Sequence, residues 1–382
     1  MVSSHTLFIS AIEPSANIHL KALAQEMDSI TKQQHITLEI VGIFDNDVFS
    51  GCSNIQAHSS YDLRAFSAMA FIDVIKKVFF YKRVNLEMIA LAKTCQKALL
   101  IDSSSFHIPL AKGLKGSGVE VVYYILPQVW AWKSWRAKEI ERICNRLCAI
   151  LPFELSMYPN AVQQNRAQYV GHPLLDELPI DSPLPRTQEI VFMPGSRQGE
   201  IKKIFPIFAQ VAKQLHEPKI LVAPSHFATL SKEELQNIYG EEIKEFTLSF
   251  DATKALQTCK FAFICSGTAT LQAALLQAPF VLAYTMRPIE YHIVKFFVKL
   301  KVVGLANILY QGACNQQAGK SDQKLHTELI QDDLTPQNLL DSYHNFDCAT
   351  YIKNAQTLRA YLQHGSSHNV ARILLTNLTH LR

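Results

Sequence analysis

The chain has 382 residues, 48% of them hydrophobic and 18% charged, a composition typical of a globular protein long enough for two domains. Its formal net charge of +4 is too small to indicate nucleic-acid binding, although it suits an acidic ligand or an anionic membrane surface. The eight cysteines form no CxxC pair, which favours reduced thiols in a cytosolic protein and argues against a zinc site.

The N-terminal residues MVSSHTLFISA lack the charged region and the long apolar region of a secretory signal peptide. No uninterrupted apolar run reaches the ~20 residues that a transmembrane helix needs. We therefore expect a cytoplasmic protein that does not cross a membrane.

The first half of the chain predicts alternating strands and helices. Helical sequence separates the strands expected at Thr6–Ala11, Ile36–Phe44, Ala98–Ile101 and Val119–Ile125. This alternation is typical of a parallel α/β sheet, in which ligands bind at the carboxyl ends of the strands.

Two carboxylates follow predicted strands. Glu13 comes after the first strand, and Asp102 comes after Ala98–Ile101. Each can act as a general base if it lies within hydrogen-bond reach of an acceptor proton, or it can cap the helix that follows. His19 and His107 likewise fit either an acid–base role or a structural role, and the sequence leaves both interpretations open.

All three tryptophans of the chain, Trp130, Trp132 and Trp135, follow the strand Val119–Ile125. They form either part of the core or an exposed platform that stacks on sugars. Two amphipathic stretches, Ala65–Val84 and Tyr291–Val303, combine large apolar residues with lysines. Burial in the core explains part of each stretch, and a position on a bilayer surface is the alternative.

A proline-rich segment, Pro179–Arg186, separates the two halves of the chain. A second alternating series follows, with strands expected at Ile190–Met193, Lys219–Val222, Phe261–Cys265 and Pro279–Tyr284. The end of the chain, from Thr335 to Leu381, predicts helices. The two halves therefore share an α/β architecture.

Two loops of the second half are suited to binding phosphate. Ser266-Gly267-Thr268 joins the strand Phe261–Cys265 to an Ala/Leu-rich helix, whose first N–H groups are unpaired and attract anions. An ordinary turn with Ser266 or Thr268 as the helix cap is the alternative. Arg197 follows Pro194-Gly195-Ser196 at the start of another helix, where it can pair with a diphosphate or with Glu200.

Several motifs occur together in unbroken order along almost the whole chain. They are Glu13-Pro14-Ser15, Asp102 with Phe106, Tyr124-x-x-Pro127-x-Val129-Trp130-Ala131-Trp132, Leu151-Pro152-Phe153-Glu154, Val170-Gly171-His172-Pro173, Pro194-Gly195-Ser196-Arg197-x-x-Glu200, Ser266-Gly267-Thr268-Ala269-Thr270-Leu271, Leu305-Ala306-Asn307 and Glu328-Leu329-Ile330-Gln331. In this combination the chain resembles the lipid-A-disaccharide synthase family, inverting glycosyltransferases of the GT-B fold in Gram-negative lipopolysaccharide synthesis.

The resemblance implies two Rossmann-like α/β domains whose parallel sheets face each other across a cleft. Residues 1–180 would form the N-terminal acceptor domain, which faces the membrane, and residues 187–345 the C-terminal domain that binds the UDP donor. Residues 346–382 would be helices that pack back on the N-terminal domain or on a partner subunit. The expected location is peripheral, on the cytoplasmic face of the inner membrane, and the expected state is a monomer or a homodimer.

The implied reaction joins UDP-2,3-diacylglucosamine to 2,3-diacylglucosamine 1-phosphate (lipid X) through a β-1,6 linkage and releases UDP. The candidate catalytic residues are Asp102, as the base on the acceptor 6-hydroxyl, and Glu13. The expected donor site consists of Gly195, Ser196, Arg197, Ser266, Gly267, Thr268, Gln272 and Asn307, and the expected acceptor site of Ser15, Asn17, His19, Trp130 and Trp132. Arg197 and helix N–H groups can stabilise the leaving UDP, so neither a metal nor a cofactor is expected.

The sequence departs from the family pattern at four places. Ile12 replaces the usual Gly before Glu13, Ala16-Asn17 replaces Gly-Asp, and Ser105 replaces the second carboxylate of the run aspartate–x–Pro–Asp–Phe–Asn. Gln272 replaces a glutamate that in GT-B enzymes typically binds both ribose hydroxyls. Because Gln loses the charge-assisted pairing, we expect a UDP affinity that is weakened several-fold.

Two other interpretations stay open at this point. One is a different UDP-sugar enzyme, such as the N-acetylglucosaminyltransferase of peptidoglycan synthesis or a UDP-sugar epimerase, although the tryptophan run and the Asp102 loop argue against it. The other is a nucleotide-sugar-binding protein that has lost catalysis. The substitutions at Asn17, Ser105 and Gln272 suggest this second possibility, and the retained Asp102 and Arg197 oppose it. The sequence does not decide which of Glu13, Asp102 and His19 moves the proton.

Overall fold

The computed structural model describes residues 4–63, 74–131, 133–182, 184–265, 267–285 and 301–376. Trp132 and Ser266 of the predicted sites lie outside these residues, as do parts of the amphipathic stretches Ala65–Val84 and Tyr291–Val303. The chain forms two compact units. Unit 1 contains the residues up to Glu177 and those from Leu362 onward, and unit 2 is the continuous segment Leu178–Tyr361.

Unit 1 is built on a parallel sheet. Its strands are β1 (Ser4–Ser10), β2 (Thr37–Ile43), β3 (Ile55–Ser59), β4 (Lys97–Ile101), β5 (Glu120–Tyr124), β6 (Arg146–Ala149) and β7 (Ala167–Tyr169). They are arranged in the order β3-β2-β1-β4-β5-β6-β7, and every neighbouring pair is parallel. The α-helices described between and after these strands are α1 (Pro14–Gln34), α2 (Val74–Ala92), α3 (Ser104–Leu114), α4 (Arg136–Ile143), α5 (Pro159–Gln163) and α6 (Pro173–Glu177).

Unit 2 repeats this architecture with a six-stranded parallel sheet. Its strands are β8 (Ile190–Met193), β9 (Lys219–Val222), β10 (Thr247–Ser249), β11 (Phe261–Cys265), β12 (Phe280–Tyr284) and β13 (Glu328–Ile330). Their order is β10-β9-β8-β11-β12-β13. The helices are α7 (Gln198–Ala212), α8 (Lys232–Tyr239), α9 (Ala252–Thr258), α10 (Thr268–Leu275), α11 (Leu305–Ala313), α12 (Pro336–His344) and α13 (Cys348–Tyr361).

The last described helix, α14 (Ser366–Leu375), returns the chain to unit 1, where it packs on α1. Lys97 anchors its end, because the Lys97 ammonium donates to the carbonyls of Ile373 and Thr376 at 2.9 and 2.8 Å. Gly171 permits the segment before α14 to pass close to its own main chain. Its φ is 97°, and a Cβ at this position would lie 2.8 Å from the Gln363 carbonyl oxygen.

The strand β4 shows why these segments form a covered sheet. All five of its residues are buried, as expected for a central parallel strand with helices on both faces. Leu99 and Ile101 pack in the apolar layer that contains α1, and Ala98 and Leu100 pack in the layer that contains α3. Alternate residues of the strand therefore point to opposite faces of the sheet and pack in two separate cores.

Both sheets reverse their strand order at one point. In unit 1 the reversal falls between β1 and β4, and in unit 2 between β8 and β11. The prediction of parallel α/β sheets is confirmed. In sheets of this kind the ligand binds at the carboxyl ends of the two strands that flank the reversal. The loops that follow β1, β4, β8 and β11 occupy these positions.

Candidate active site

Asp102 ends β4 in an unusual main-chain conformation. The φ of Asp102 is 58° and that of Ser103 is 42°, so two successive residues with side chains lie in the left-handed region. The N–H of Asp102 still donates to the Tyr124 carbonyl at 3.0 Å, as a continuation of the sheet. Two non-glycine residues therefore make the turn from β4 into α3.

The carbonyl oxygen of Asp102 accepts two hydrogen bonds, from Nδ1 of His107 at 2.8 Å and from the Tyr123 hydroxyl at 2.9 Å. Because a carbonyl only accepts, Nδ1 carries the hydrogen, and Nε2 accepts from the Ser10 hydroxyl at 2.8 Å. Burial lowers the pKa of His107 to about 4, which keeps the ring neutral at physiological pH. Of its two interpretations, the structural role is favoured.

The Asp102 carboxyl is half-buried. Burial raises its pKa above the ordinary value, and the negative charge of Glu13 raises it further. The Ser103 backbone N–H and His19 act in the opposite direction. Glu13 is exposed directly before α1. The structure therefore brings both predicted catalytic carboxylates and His19 within electrostatic reach of one another, beside the strand reversal of unit 1.

His19 is held from α6. Its Nδ1 lies 2.6 Å from Oε1 of Glu177, and their side chains are only 18% and 10% exposed. His172 lies close by and is fully buried, and burial together with the charge of His19 lowers the pKa of His172 to about 3. The bond to Glu177 fixes the ring of His19 and leaves Nε2 as the nitrogen outside this pair.

Asn17 shapes the loop before α1. Its side chain is buried, and Nδ2 donates to the carbonyls of Ala11 at 2.7 Å and Glu13 at 2.9 Å. Its Oδ1 accepts the N–H of Asp45 at 2.8 Å, which ties the loop to the end of β2. Ser15, in contrast, is exposed. Of these two predicted acceptor-site residues, Ser15 is therefore the one whose side chain reaches solvent.

Trp130 is half-buried and packs edge-on against Phe153, with ring centroids 5.2 Å apart. Its indole N–H lies beside the buried Glu154 carboxyl, which also accepts the N–H of Leu151 at 3.3 Å. Burial outweighs the stabilising effect of its polar neighbours and raises the pKa of Glu154 to about 8. Trp135 is 64% exposed, so the tryptophans do not form a single core cluster.

In unit 2 the loops after β8 and β11 are neighbours, because the two strands pair directly. Gly195 in the first loop has a φ of 116°, and a Cβ there would lie 2.7 Å from Oε2 of Glu200. That oxygen accepts the N–H groups of Ser196 and Arg197, both at 3.3 Å, and Oε1 pairs with the Arg197 guanidinium at 3.3 Å. The Arg197 side chain is 84% exposed, so the ion pair leaves the guanidinium accessible to a ligand.

The second loop leads into α10 through Gly267, whose φ is 136°. Within the part of the chain that the structure describes, no side chain caps this helix. The first N–H groups of α10, at Thr268 and Ala269, have no intrahelical acceptor, which is the arrangement that attracts anions. One turn later, Nε2 of Gln272 donates to Oγ1 of Thr253 at 2.9 Å.

Asn307, near the start of α11, is fully buried. Its Nδ2 donates to the His326 carbonyl at 3.0 Å and to Oε1 of Glu328 at 2.8 Å. Its Oδ1 accepts the N–H groups of Leu325 and His326 at 2.7 and 3.1 Å. The amide is thus saturated within the protein. A direct hydrogen bond from Asn307 to a bound ligand would have to replace one of these four hydrogen bonds.

No sequence motif identifies some of the residues in these hydrogen-bond networks. Ser10 ends the apolar run Leu7–Ile9, and Tyr123 places a hydroxyl inside a buried strand. A polar group that is buried with an apolar strand needs a hydrogen-bond partner. The position of Ser10 and Tyr123 in such strands is therefore the only sign in the sequence that each belongs to a network. In the sequence Glu328 stands out only as part of a motif, yet in the structure its carboxylate also accepts the N–H groups of Val303 and Gly304, at 2.9 and 2.8 Å.

Among the described residues, no group of three or more His, Cys, Asp or Glu side chains is arranged to hold a metal ion. No helix in those same ranges combines the length and apolar character needed to span a bilayer. All eight cysteines are free thiols.

Comparison with known proteins identifies close sequence relatives. Residues 7–370 match the family described as Lipid-A-disaccharide synthetase. The lipid-A-disaccharide synthase of Helicobacter acinonychis is 45% identical over 383 aligned residues, which cover 98% of this chain and 99% of that protein. The enzyme of the same name from Campylobacter jejuni is 40% identical, with 97% and 99% covered.

Solved structures of lower sequence identity show the same fold. UDP-GlcNAc 2-epimerase from Neisseria meningitidis, bound to UDP-GlcNAc, superimposes with a TM-score of 0.59 at 11% identity and covers 98% of this chain and 100% of its own. MurG from Acinetobacter baumannii gives a TM-score of 0.51 at 13% identity, with 97% and 99% covered. At these identities the similarity concerns the fold alone, which is the GT-B fold.

Proposed function

This chain belongs to the lipid-A-disaccharide synthase family of glycosyltransferases, and we propose that it joins UDP-2,3-diacylglucosamine to lipid X. The products are the β-1,6-linked disaccharide 1-phosphate and UDP. The observation that carries this assignment to particular residues is the position of Asp102 and Glu13. They follow the two strands that flank the reversal of strand order in unit 1, where an α/β sheet binds its ligand.

Asp102 is proposed as the general base. Its carboxylate takes the proton of the acceptor 6-hydroxyl while that oxygen attacks the anomeric carbon of the donor and the bond to UDP breaks. One displacement inverts the anomeric centre, so no covalent intermediate forms. Burial and the charge of Glu13 support this role, because they raise the pKa of Asp102 towards the pH at which a base accepts a proton most effectively.

The proposed donor site lies in unit 2, at the loops after β8 and β11. The exposed guanidinium of Arg197 and the first N–H groups of α10 supply positive charge for the diphosphate, with Gly195, Ser196, Gly267 and Thr268 forming the loop backbone. Gln272 is proposed to bind the ribose through Oε1. Asn307 would contribute indirectly, by shaping the loop before α11.

The proposed acceptor site consists of Ser15, His19 and Trp130 beside Asp102, with Trp132 as a further candidate and Asn17 as support for the loop. The acyl chains and the membrane are proposed to meet α2. On that helix Val78, Phe79 and Leu86 are 59%, 68% and 61% exposed, and Lys82 and Arg83 are on the same helix. Apolar side chains beside cations suit the anionic cytoplasmic face of the inner membrane.

The test is an assay with purified protein, lipid X and the UDP-diacylglucosamine donor, in which released UDP and disaccharide are measured. Asp102→Asn should lower kcat by a factor of at least about a hundred, because it removes the base but keeps a residue that tolerates positive φ. The exposed Asp322→Asn serves as the matched control. Full activity of Asp102→Asn would refute the base role.

Two other outcomes would redirect the assignment. UDP binding without turnover of the wild-type protein would indicate a nucleotide-sugar-binding protein. Turnover of UDP-N-acetylglucosamine without lipid X would indicate an epimerase or another transferase. A measurement of mass in solution distinguishes a monomer from a homodimer.

A further inference from the structure

The turn at Asp102 requires something to hold it. Left-handed main chain is unfavourable for residues that carry a Cβ, and Asp102 and Ser103 adopt it in succession. Ser103 does not stabilise the turn as a helix cap, since its side chain makes no capping hydrogen bond to α3. The conformation must therefore be maintained by contacts to the main chain itself.

The contacts that side chains of other residues make to this turn converge on one atom. The Asp102 carbonyl oxygen accepts from His107 Nδ1 at 2.8 Å and from the Tyr123 hydroxyl at 2.9 Å, so both of its lone pairs are used. The two rings are perpendicular, with centroids 6.2 Å apart. On the opposite edge of the imidazole, Ser10 donates to Nε2 at 2.8 Å.

His107 therefore connects three elements. It belongs to the first turn of α3, it bonds to the residue that follows β4, and it is anchored by the last residue of β1. These are the two strands that flank the reversal of strand order, so the ring fixes the end of one against the end of the other. The ring is completely buried and has no path to substrate of its own.

We propose that His107 is a positioning residue for the transfer reaction. Its Nδ1–H holds the Asp102 carbonyl so that the main chain stays left-handed and the carboxylate is presented in one fixed orientation. The proposal rests on the proposed base role of Asp102. It predicts that the hydrogen bond from Nδ1 matters for kcat, and that the volume of the imidazole alone does not suffice.

Two substitutions distinguish the role of Nδ1 of His107 from that of Nε2. In His107→Asn the side-chain amide can place a donor near the position of Nδ1, whereas in His107→Gln it reaches the position of Nε2 and the donor to Asp102 is lost. We expect His107→Asn to keep kcat within a few-fold of the wild type. His107→Gln should lower kcat on the order of tenfold to a hundredfold, because a small misplacement of a catalytic group has an effect of this size. The KM for lipid X and the Kd for UDP should stay unchanged in both.

Equal losses of kcat in the two variants, or a parallel loss of UDP binding, would mean that His107 is merely structural and would overturn the proposal. Ser10→Ala provides a second measurement that removes only one hydroxyl from the network. It should lower kcat several-fold without changing KM, and an unchanged kcat would also overturn the proposal. Failure of the base role is distinguishable, because it appears as activity of Asp102→Asn whatever the His107 variants do.

Discussion

Gln272 donates its Nε2–H to the hydroxyl oxygen of Thr253 at 2.9 Å, so one half of the amide is already occupied inside unit 2. Only Oε1 is available to accept from a ribose hydroxyl. In Gln272→Glu, Thr253 can turn its hydroxyl to donate to one carboxylate oxygen while the other accepts from the ligand with a full charge. We expect UDP affinity to rise several-fold, equivalent to about 1 kcal/mol, by calorimetry.

Thr253→Val in the wild-type background is the companion variant. It frees the amide to rotate and should weaken UDP binding slightly, since the orientation of Oε1 is lost. Unchanged affinity in Gln272→Glu would mean that position 272 does not face the ribose.

Glu13 is expected to influence the pH at which activity is lost on acidification, through its effect on the pKa of Asp102. Asp102 acts as a base only when it is deprotonated, and the charge of Glu13 raises its pKa. Glu13→Gln removes that charge, so the pKa of Asp102 falls and activity should persist to lower pH. The acidic limb of kcat/KM should therefore move to lower pH. Glu26→Gln, on the same helix, is the control, and a profile identical to the wild type would exclude this coupling.

Glu154 is expected to make the stability of unit 1 depend on pH. Its carboxyl has a folded-state pKa of about 8, so between its ordinary value of about 4.3 and pH 8 the folded protein binds a proton that the unfolded chain has released. Stability therefore falls as pH rises through this window, by at most about 1.4 kcal/mol per pH unit.

Glu154→Gln mimics the protonated carboxyl and removes this dependence. In urea unfolding, the variant should gain stability relative to the wild type as the pH is raised from 6 to 8, and the gain should level off above pH 8. The exposed Glu233→Gln should follow the wild-type curve. Parallel curves for Glu154→Gln and the wild type would contradict the raised pKa.

Arg359 supports the end of α10 in unit 2. Its Nε donates to the Leu275 carbonyl at 2.6 Å, and an NH2 hydrogen goes to the Ile180 carbonyl at 3.0 Å. Arg359→Met leaves both half-buried acceptors without this partner and should destabilise unit 2 by about 2–3 kcal/mol. Arg359→Lys can reach one carbonyl and should lose less. Thermal unfolding with and without UDP measures both, and wild-type stability of Arg359→Met would show that these two hydrogen bonds do not support unit 2.

The strands that the sequence predicts lie in the centre of the two sheets, and those that it does not predict lie at the edges. The central strands β1, β4, β8 and β11 are apolar runs buried on both faces, and pattern alone locates them within a residue or two. The hydrophobic pattern does not predict Ile55–Ser59, Ala167–Tyr169 or Thr247–Ser249 as strands, and Glu328–Ile330 stands out only as part of a motif. All four lie at sheet edges. Short edge strands carry mixed polar residues, so the hydrophobic period that reveals a strand is absent.

The site shows a similar division. Asp102, Glu13 and Arg197 could be predicted because they follow strands, and a parallel sheet gathers its strand ends at one edge. The partners of buried amides could not be predicted. Asn17 and Asn307 occur in motifs, yet the structure shows their side chains bonded to the backbone of distant segments. Spacing along a chain carries no information about such pairs, which exist only after the fold has formed.

The return of the chain through α14 has a consequence for biosynthesis. Unit 2 is a single continuous segment, so the ribosome has delivered every residue of it once Tyr361 has emerged. Unit 1 begins earlier but lacks α14 until synthesis has passed Leu375, and until then the face of α1 that receives Val370 and Leu374 is uncovered. The half of the protein that is synthesised first is therefore the half that is completed last.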